Sequence, residues 1–310
     1  MLDLNINFKS LNHMLEVLDS DKKCIRYLEN LVWEGVPTSP FNIESKVYKC
    51  KNGKYKCSMT NKYFTVLTGT IFENTKLPLR LWFKAIYLNI THRDGIPSTT
   101  LADILGVTQV TAWHMLQKIR KVMSEENYQP LSGMVEADEF VAGGRLGNMH
   151  YDKKRQVKEK PYQNKIPVHG MVERKGNAVI TVIPNMERDT LCARILRYIK
   201  IGSVLYTDEN PSYEKINQFY KHDNVVHSKG NYVKKGTKIH TNTIESLWST
   251  FSRTLKTYVS VSEKFLQCYA NECVFRYNTR KMKNIDACIC CLINITATKI
   301  TWRQIALGQY

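Results

Sequence analysis

Three carboxylates stand at places in the chain where phosphoryl chemistry could be done. Asp138 lies within Met134-Val-Glu-Ala-Asp-Glu-Phe-Val141, where acidic and apolar residues interleave at the two-residue period of a strand. That period sends Glu136, Asp138 and Phe140 to one side and Val135, Ala137, Glu139 and Val141 to the other. An acid in mid-strand is expensive to bury without a cation. Asp208 directly follows the strand-like run Ser203-Val-Leu-Tyr-Thr207, at the edge where α/β sheets place their chemistry. Glu245 falls in the first turn of a helix-like segment from His240 to Phe251, beside the apolar stripe Ile244, Leu247, Trp248 and Phe251. Hard oxygen donors from three separate elements suit two Mg²⁺ or Mn²⁺ ions, one activating an attacking oxygen and the other stabilising a leaving one. The same acids also suit helix caps and salt bridges, and spacing alone leaves both uses open.

The elements that must position these acids read as a mixed α/β region. Ile166–Val172 and Ala178–Ile183 have strand character, Arg188–Tyr198 has helical periodicity, and Asn210-Pro211 turns the chain into a helix starting near Ser212. Ahead of this region, Ser98 to Met123 divides as a helix-turn-helix. Ser98 or Thr99 caps a first helix with Leu101, Ala102 and Leu105 inside, Gly106 ends it, and Thr108 caps the second. The second helix is expected to bury Val110, Trp113, Leu116 and Ile119, leaving Gln109, Thr111, His114, Gln117 and Lys118 as the side chains a recognition helix offers to a major groove. Residues 36–76 carry short β-type runs between turn signals, as in a small hairpin module.

The resulting division is residues 1–76, N-terminal helices and a ribbon-like module; 77–130, the helix-turn-helix region; 131–285, the catalytic core; and 286–310, a helical tail. With 310 residues and 43% hydrophobic composition the chain can bury such cores, which excludes a disordered or fibrous class. A net charge of +17 points to a polyanionic partner, of which nucleic acid is the commonest. Lys153, Lys154 and Arg155 in one basic loop, Lys234 and Lys235 in a second, and Arg253 with Lys256 on the final acidic helix are the expected phosphate contacts. The N-terminus lacks the pattern of a signal peptide, and no run of 18 uncharged apolar residues occurs, so an intracellular protein is expected. Nine cysteines, an odd number in a chain of this size, read as free thiols; Cys288-Ile-Cys-Cys291 reads as buried in a C-terminal helix.

The order of VEADEFVAGG, VLYTDENPSY and HTNTIESLWSTFSR, preceded by GTIFENTKLPLRLWF and followed by FRYNTRK, resembles the ISXO-like bacterial insertion-sequence DDE transposases, a group related to Merlin elements. The resemblance spans about residues 25–285. It implies an RNase H-like catalytic core with Asp138, Asp208 and Glu245 as catalytic metal ligands. It also implies two Mg²⁺ or Mn²⁺ ions, terminal inverted repeats and target DNA as partners, and a dimer or larger synaptic assembly. A prokaryotic member would act in the cytoplasm at the nucleoid, and a eukaryotic one in the nucleus. Two departures stand out. The family's zinc ribbon places CxxC pairs where this chain has Val36-Pro-Thr-Ser39 and Cys57-Ser-Met-Thr60, so a ribbon without zinc is expected. Ser252 stands where relatives often carry lysine, seven residues after the third acid. The alternative reading is a domesticated, catalytically silent, sequence-specific DNA-binding protein; a nuclease without strand transfer is a third.

Overall fold

A computed structural model describes residues 8–124, 129–143, 165–208, 211–224, 240–259 and 261–295. The chain divides into two compact units, one of residues 1–124 with 279–310 and the other of residues 125–278. No helix among the described residues is long and apolar enough to cross a membrane.

In the first unit, α1 (Leu11–Val17) starts at Ser10, whose hydroxyl accepts from the His13 amide, and α2 (Asp21–Trp33) stops where Glu34 turns left-handed. Strands β1 (Val47–Lys49), β2 (Tyr55–Cys57) and β3 (Tyr63–Phe64) then form an antiparallel ribbon. Its turns use the left-handed residues Asn52, Gly53 and Asn61, as the turn signals lead one to expect. Helices α3 (Leu79–Thr91), α4 (Ser98–Leu105) and α5 (Gln109–Val122) follow. Leu101, Ala102 and Leu105 are buried, Gly106 ends α4 at φ 66°, and the Thr108 hydroxyl caps α5 by accepting from the Thr111 amide. Two local expectations fail. Helix α4 begins after Pro97 with no side-chain cap, and Val110 is 65% exposed while Trp113 is only half-buried.

In the second unit a five-stranded sheet runs in the order β6-β5-β4-β7-β8. Its strands are β4 (Met134–Ala142), β5 (Ile166–Glu173), β6 (Ala178–Val182), β7 (Val204–Thr207) and β8 (Lys221–Asn224). The first three pair antiparallel, and β7 joins β4 in parallel, as β8 joins β7. One face packs under α6 (Arg188–Tyr198) and the short 3₁₀ segment Pro211–Gln218, through Val135, Ala137, Leu191, Ile195, Leu205 and Tyr213. The other packs under α7 (Asn242–Thr257) and α8 (Glu263–Thr279), through Val168, Ile180, Ile244, Trp248, Phe251 and Leu266. Strand β4 is thus a central strand between two apolar layers, and its acids need partners from those layers. The last helix, α9 (Asn284–Ile295), packs within the first unit against α2, α3 and α5. It buries Cys288 and Cys291, and burial pushes the Cys288 thiol up to about 12.

Candidate active site

The register of β4 and β7 brings the first two acids together. Glu136 pairs with Tyr206, the last β4–β7 partners, so two residues further on Asp138, within β4, comes level with Asp208, just past the C-terminal end of the parallel strand β7. Glu139 joins them: one carboxylate oxygen from each of Asp138, Glu139 and Asp208 lies within 4.8 Å of the others, and all three residues are half-buried. Three hard oxygens at this spacing form a donor set that suits a divalent cation.

Each carboxylate of β4 is held by a donor from the layer it faces. On the α7 side, Trp248 Nε1 donates to Asp138 Oδ2 at 2.9 Å. The indole lies against Gly170, the residue paired with Asp138 on β5; a Cβ there would come within 2.5 Å of the ring. Phe140 stacks against the same indole with centroids 5.1 Å apart. On the α6 side, the Tyr213 hydroxyl donates to Glu139 Oε1 and sits 3.3 Å from His169 Nε2. Burial, reinforced by the Glu139 carboxylate, raises the Tyr213 phenol well above its ordinary value, so it remains a donor. Burial, reinforced by Arg194, pushes the His169 imidazole down to about 3, so it is neutral.

Glu136, also on the α7 side, is fully buried and ties that helix to the sheet. It accepts from the Thr243 and Ile244 amides at 2.8 and 3.0 Å, from the Thr243 hydroxyl at 2.9 Å and from Arg174 Nε at 2.7 Å. A carboxylate on the first-turn amides of a helix satisfies donors that have no partner within the helix and meets its dipole favourably. Arg174, whose guanidinium also donates to the His240 carbonyl, is the cation that makes this mid-strand acid tolerable.

Glu245 lies one turn before Trp248 on α7, is exposed, and contributes no oxygen to the three-carboxylate group. Further along the helix Arg253 donates to Ser249 and Thr250, and Lys256 is exposed. The structure therefore unites Asp138 with Asp208 and leaves Glu245 outside their cluster. Tyr213 and Glu136 are residues that sequence reasoning does not assign to the site, and Glu139, which it holds only as a next candidate for the third ligand beside Asn242, is the acid that joins the cluster. The burial cost of a mid-strand acid is the one signal pointing toward Glu136.

The groove-facing inventory of α5 needs correction. Gln109 is exposed and Thr111 half-buried, but Gln117 is fully buried. The Lys118 ammonium donates to the Ile71 carbonyl at 2.8 Å, and burial lowers its pKa. His114 is half-buried, and burial together with Lys118 pushes it down to about 4. The reason is that α5 packs against α3, α4 and α9 at once, so its buried arc is wider than one stripe. In the ribbon, Ser39, Cys57 and Thr60, three of the four positions where a zinc ribbon carries cysteine, meet around the Cys57 thiol, which also donates to Ser45. Lys153, Lys154, Arg155, Lys234 and Lys235 lie outside the described residues.

Residues 130–278 match the ISXO2-like transposase domain. A protein of Halobacterium salinarum named as an uncharacterized protein in transposable element ISH50 is 28% identical over 227 residues, covering 70% of this chain and 75% of that one. An uncharacterized transposase-like protein of Haemophilus influenzae is 27% identical over 111 residues, covering 36% of this chain and 88% of that one. Among solved structures, the Mos1 strand transfer complex aligns at 10% identity over 71% of this chain and 79% of that chain. The TM-score of that alignment is 0.18.

Proposed function

We propose, from the premise that residues 130–278 belong to the ISXO2-like transposase family, that this chain is an insertion-sequence transposase that cuts at terminal inverted repeats and joins the freed ends to target DNA. The observation that carries the reading is the convergence of Asp138, Glu139 and Asp208 where β7 ends beside β4. Three antiparallel strands followed by two parallel ones fit an RNase H-like core. Divalent cations, Mg²⁺ or Mn²⁺, would supply the charge that activates an attacking oxygen and stabilises a leaving 3′-oxygen.

The chain's own part is to hold and orient. Asp138 and Asp208 supply the facing carboxylates, and Trp248 fixes one oxygen of Asp138. Glu139 adds the third oxygen of the cluster. Glu245, one helical turn before Trp248 in the first turn of α7, is the further ligand that the family resemblance implies. Arg253, Lys256 and the loop cations Lys153, Lys154, Arg155, Lys234 and Lys235 track phosphates. Gln109 and Thr111, at the start of α5, face the repeat. The same carboxylates serve water during cleavage and the freed 3′-hydroxyl during joining, so no protein nucleophile is needed. Two DNA ends must meet for joining, which calls for a dimer or larger assembly.

The second reading, a catalytically silent DNA-binding protein, draws on Ser252 and on the outlying Glu245. One experiment separates the two: incubation with DNA carrying the element's ends in Mg²⁺ or Mn²⁺, beside Asp208→Asn. Cleavage at the repeat ends that the variant loses supports the transposase. Specific binding with no cleavage by the wild type would replace it with the silent binder.

A further inference from the structure

We infer that the outward face of the β1–β3 ribbon is a contact surface for duplex DNA, centred on Tyr48, Lys56 and Tyr63. The inference rests on the proposal that this chain acts on DNA and names where the backbone is held. In the register of the ribbon, Tyr48 lies directly across from Lys56, and Lys56 directly across from Tyr63. The three therefore form one row on one face. The opposite face is the ribbon's own core: Tyr55, Cys57 and Phe64 are buried there, with Trp33 and Val47 packed against them. Among the described residues nothing comparable covers the outward row, since Tyr48 is 57% and Tyr63 59% exposed.

The charge around this row has one sign. Residues 46–63 contain six lysines and no acid. Lys46, Lys49, Lys51, Lys54 and Lys62 are exposed, and the Lys56 ammonium stands 5.8 Å from the Tyr63 ring centre. Lysines supply point charges to phosphates, and tyrosine hydroxyls donate to phosphate oxygens while the rings rest on sugar. A lysine between the two rings interrupts any continuous stacking platform, which favours a duplex backbone over splayed bases. On helix α5 the Lys118 ammonium is committed to the Ile71 carbonyl and Arg120 is buried, so most of the nearby positive charge lies on the ribbon. The ribbon thus supplies the sequence-independent grip, and the exposed start of α5 is left to read base edges.

The test uses the full chain and a fluorescent duplex carrying the terminal repeat, beside an unrelated duplex and a single strand of equal length, titrated across a salt series. Replacing Lys46, Lys54 and Lys56 together by Ala should weaken both duplexes alike. It should also reduce the slope of log K against log salt by about 2 to 3, at roughly 0.9 for each phosphate that is no longer neutralised. The Tyr48→Ala/Tyr63→Ala pair should weaken both duplexes several-fold with the slope unchanged. An unchanged slope and affinity in the lysine variant overturns the inference. If Gln109→Ala/Thr111→Ala then abolishes repeat binding, the DNA reading stands and the ribbon alone is dismissed. A wild type that binds no duplex at any salt removes both. Tighter binding to the single strand than to either duplex also overturns the assignment.

Discussion

The two faces of β4 hold their acids in different ways. On the α7 face, Asp138 depends on packing: its donor is the Trp248 indole, and that indole reaches it only because Gly170 has no side chain to lift the ring. On the α6 face, Glu139 depends on a buried polar chain, Tyr213 to His169, that is kept neutral by burial. Adjacent residues of a strand point to opposite sides. Asp138 and Glu139 nevertheless converge because they lie beyond the last β4–β7 pair, where β7 no longer flanks that side of β4. A metal-type cluster at a sheet edge can therefore be supported by two independent layers, one apolar and one hydrogen-bonded.

The strongest way to break this comparison is to remove one acid at a time. Glu139→Gln keeps the size of the side chain and takes away its charge. It should lower DNA cleavage on the order of 10²- to 10³-fold, equivalent to about 3 to 4 kcal/mol of lost transition-state stabilisation, with repeat binding retained. Glu245→Gln, assayed alongside on the same substrate, should also abolish cleavage if α7 closes on the cluster in the DNA complex. Full activity in Glu245→Gln would leave the two faces of β4 with Asp208 as the whole ligand set. Full activity in Glu139→Gln would reduce its face to a structural support.

How far the chain alone reveals this site differs from residue to residue. Asp138 and Asp208 are legible because a two-residue period and a strand end leave a carboxylate few places to be. Glu139 has the correct face by the same period, yet its approach to Asp138 depends on where the β7 ladder stops, which periodicity does not contain. The Glu136–Arg174 pair joins residues 38 apart, and only the β4–β5 register brings them together. Tyr213 sits in a turn-rich segment where nothing local marks a buried phenol. On α5 the single-stripe rule fails for Gln117, buried because three helices pack on α5, and for Val110, which is exposed in the helix's first turn. The three antiparallel strands, α6 and β7 are all legible from apolar runs and turn residues. Strand β8, Lys221–Asn224, is not, since a short polar edge strand carries no apolar pattern.

The packing-dependent face can be tested without touching an acid. Gly170→Ala places a methyl group against the Trp248 ring, and overpacking of this kind costs about 1–3 kcal/mol. The expected result is a lower melting temperature together with a cleavage defect of about tenfold, as Trp248 shifts away from Asp138. Trp248→Phe in the same background relieves the clash and leaves Asp138 without its indole donor. It should restore part of the stability and none of the activity. If stability and activity recover together, Gly170 matters only for packing, and the contrast between the two faces disappears.

The hydrogen-bonded face predicts a smaller effect with a different signature. Tyr213→Phe retains the ring in the core and removes the hydroxyl that serves Glu139 and meets His169. Loss of a supporting hydrogen bond to a ligand typically lowers metal affinity about 10-fold. Mn²⁺ binding followed by electron paramagnetic resonance in the absence of DNA should therefore weaken by about that factor. Raising Mn²⁺ should recover most of the cleavage rate, because Glu139 remains present and only its orientation is lost. A variant with unchanged Mn²⁺ affinity and a depressed maximal rate would move Tyr213 from holding Glu139 to contacting DNA. A variant with both unchanged would show that the Glu139 side of β4 needs no support from its layer, and that Asp138 and Trp248 alone organise the edge.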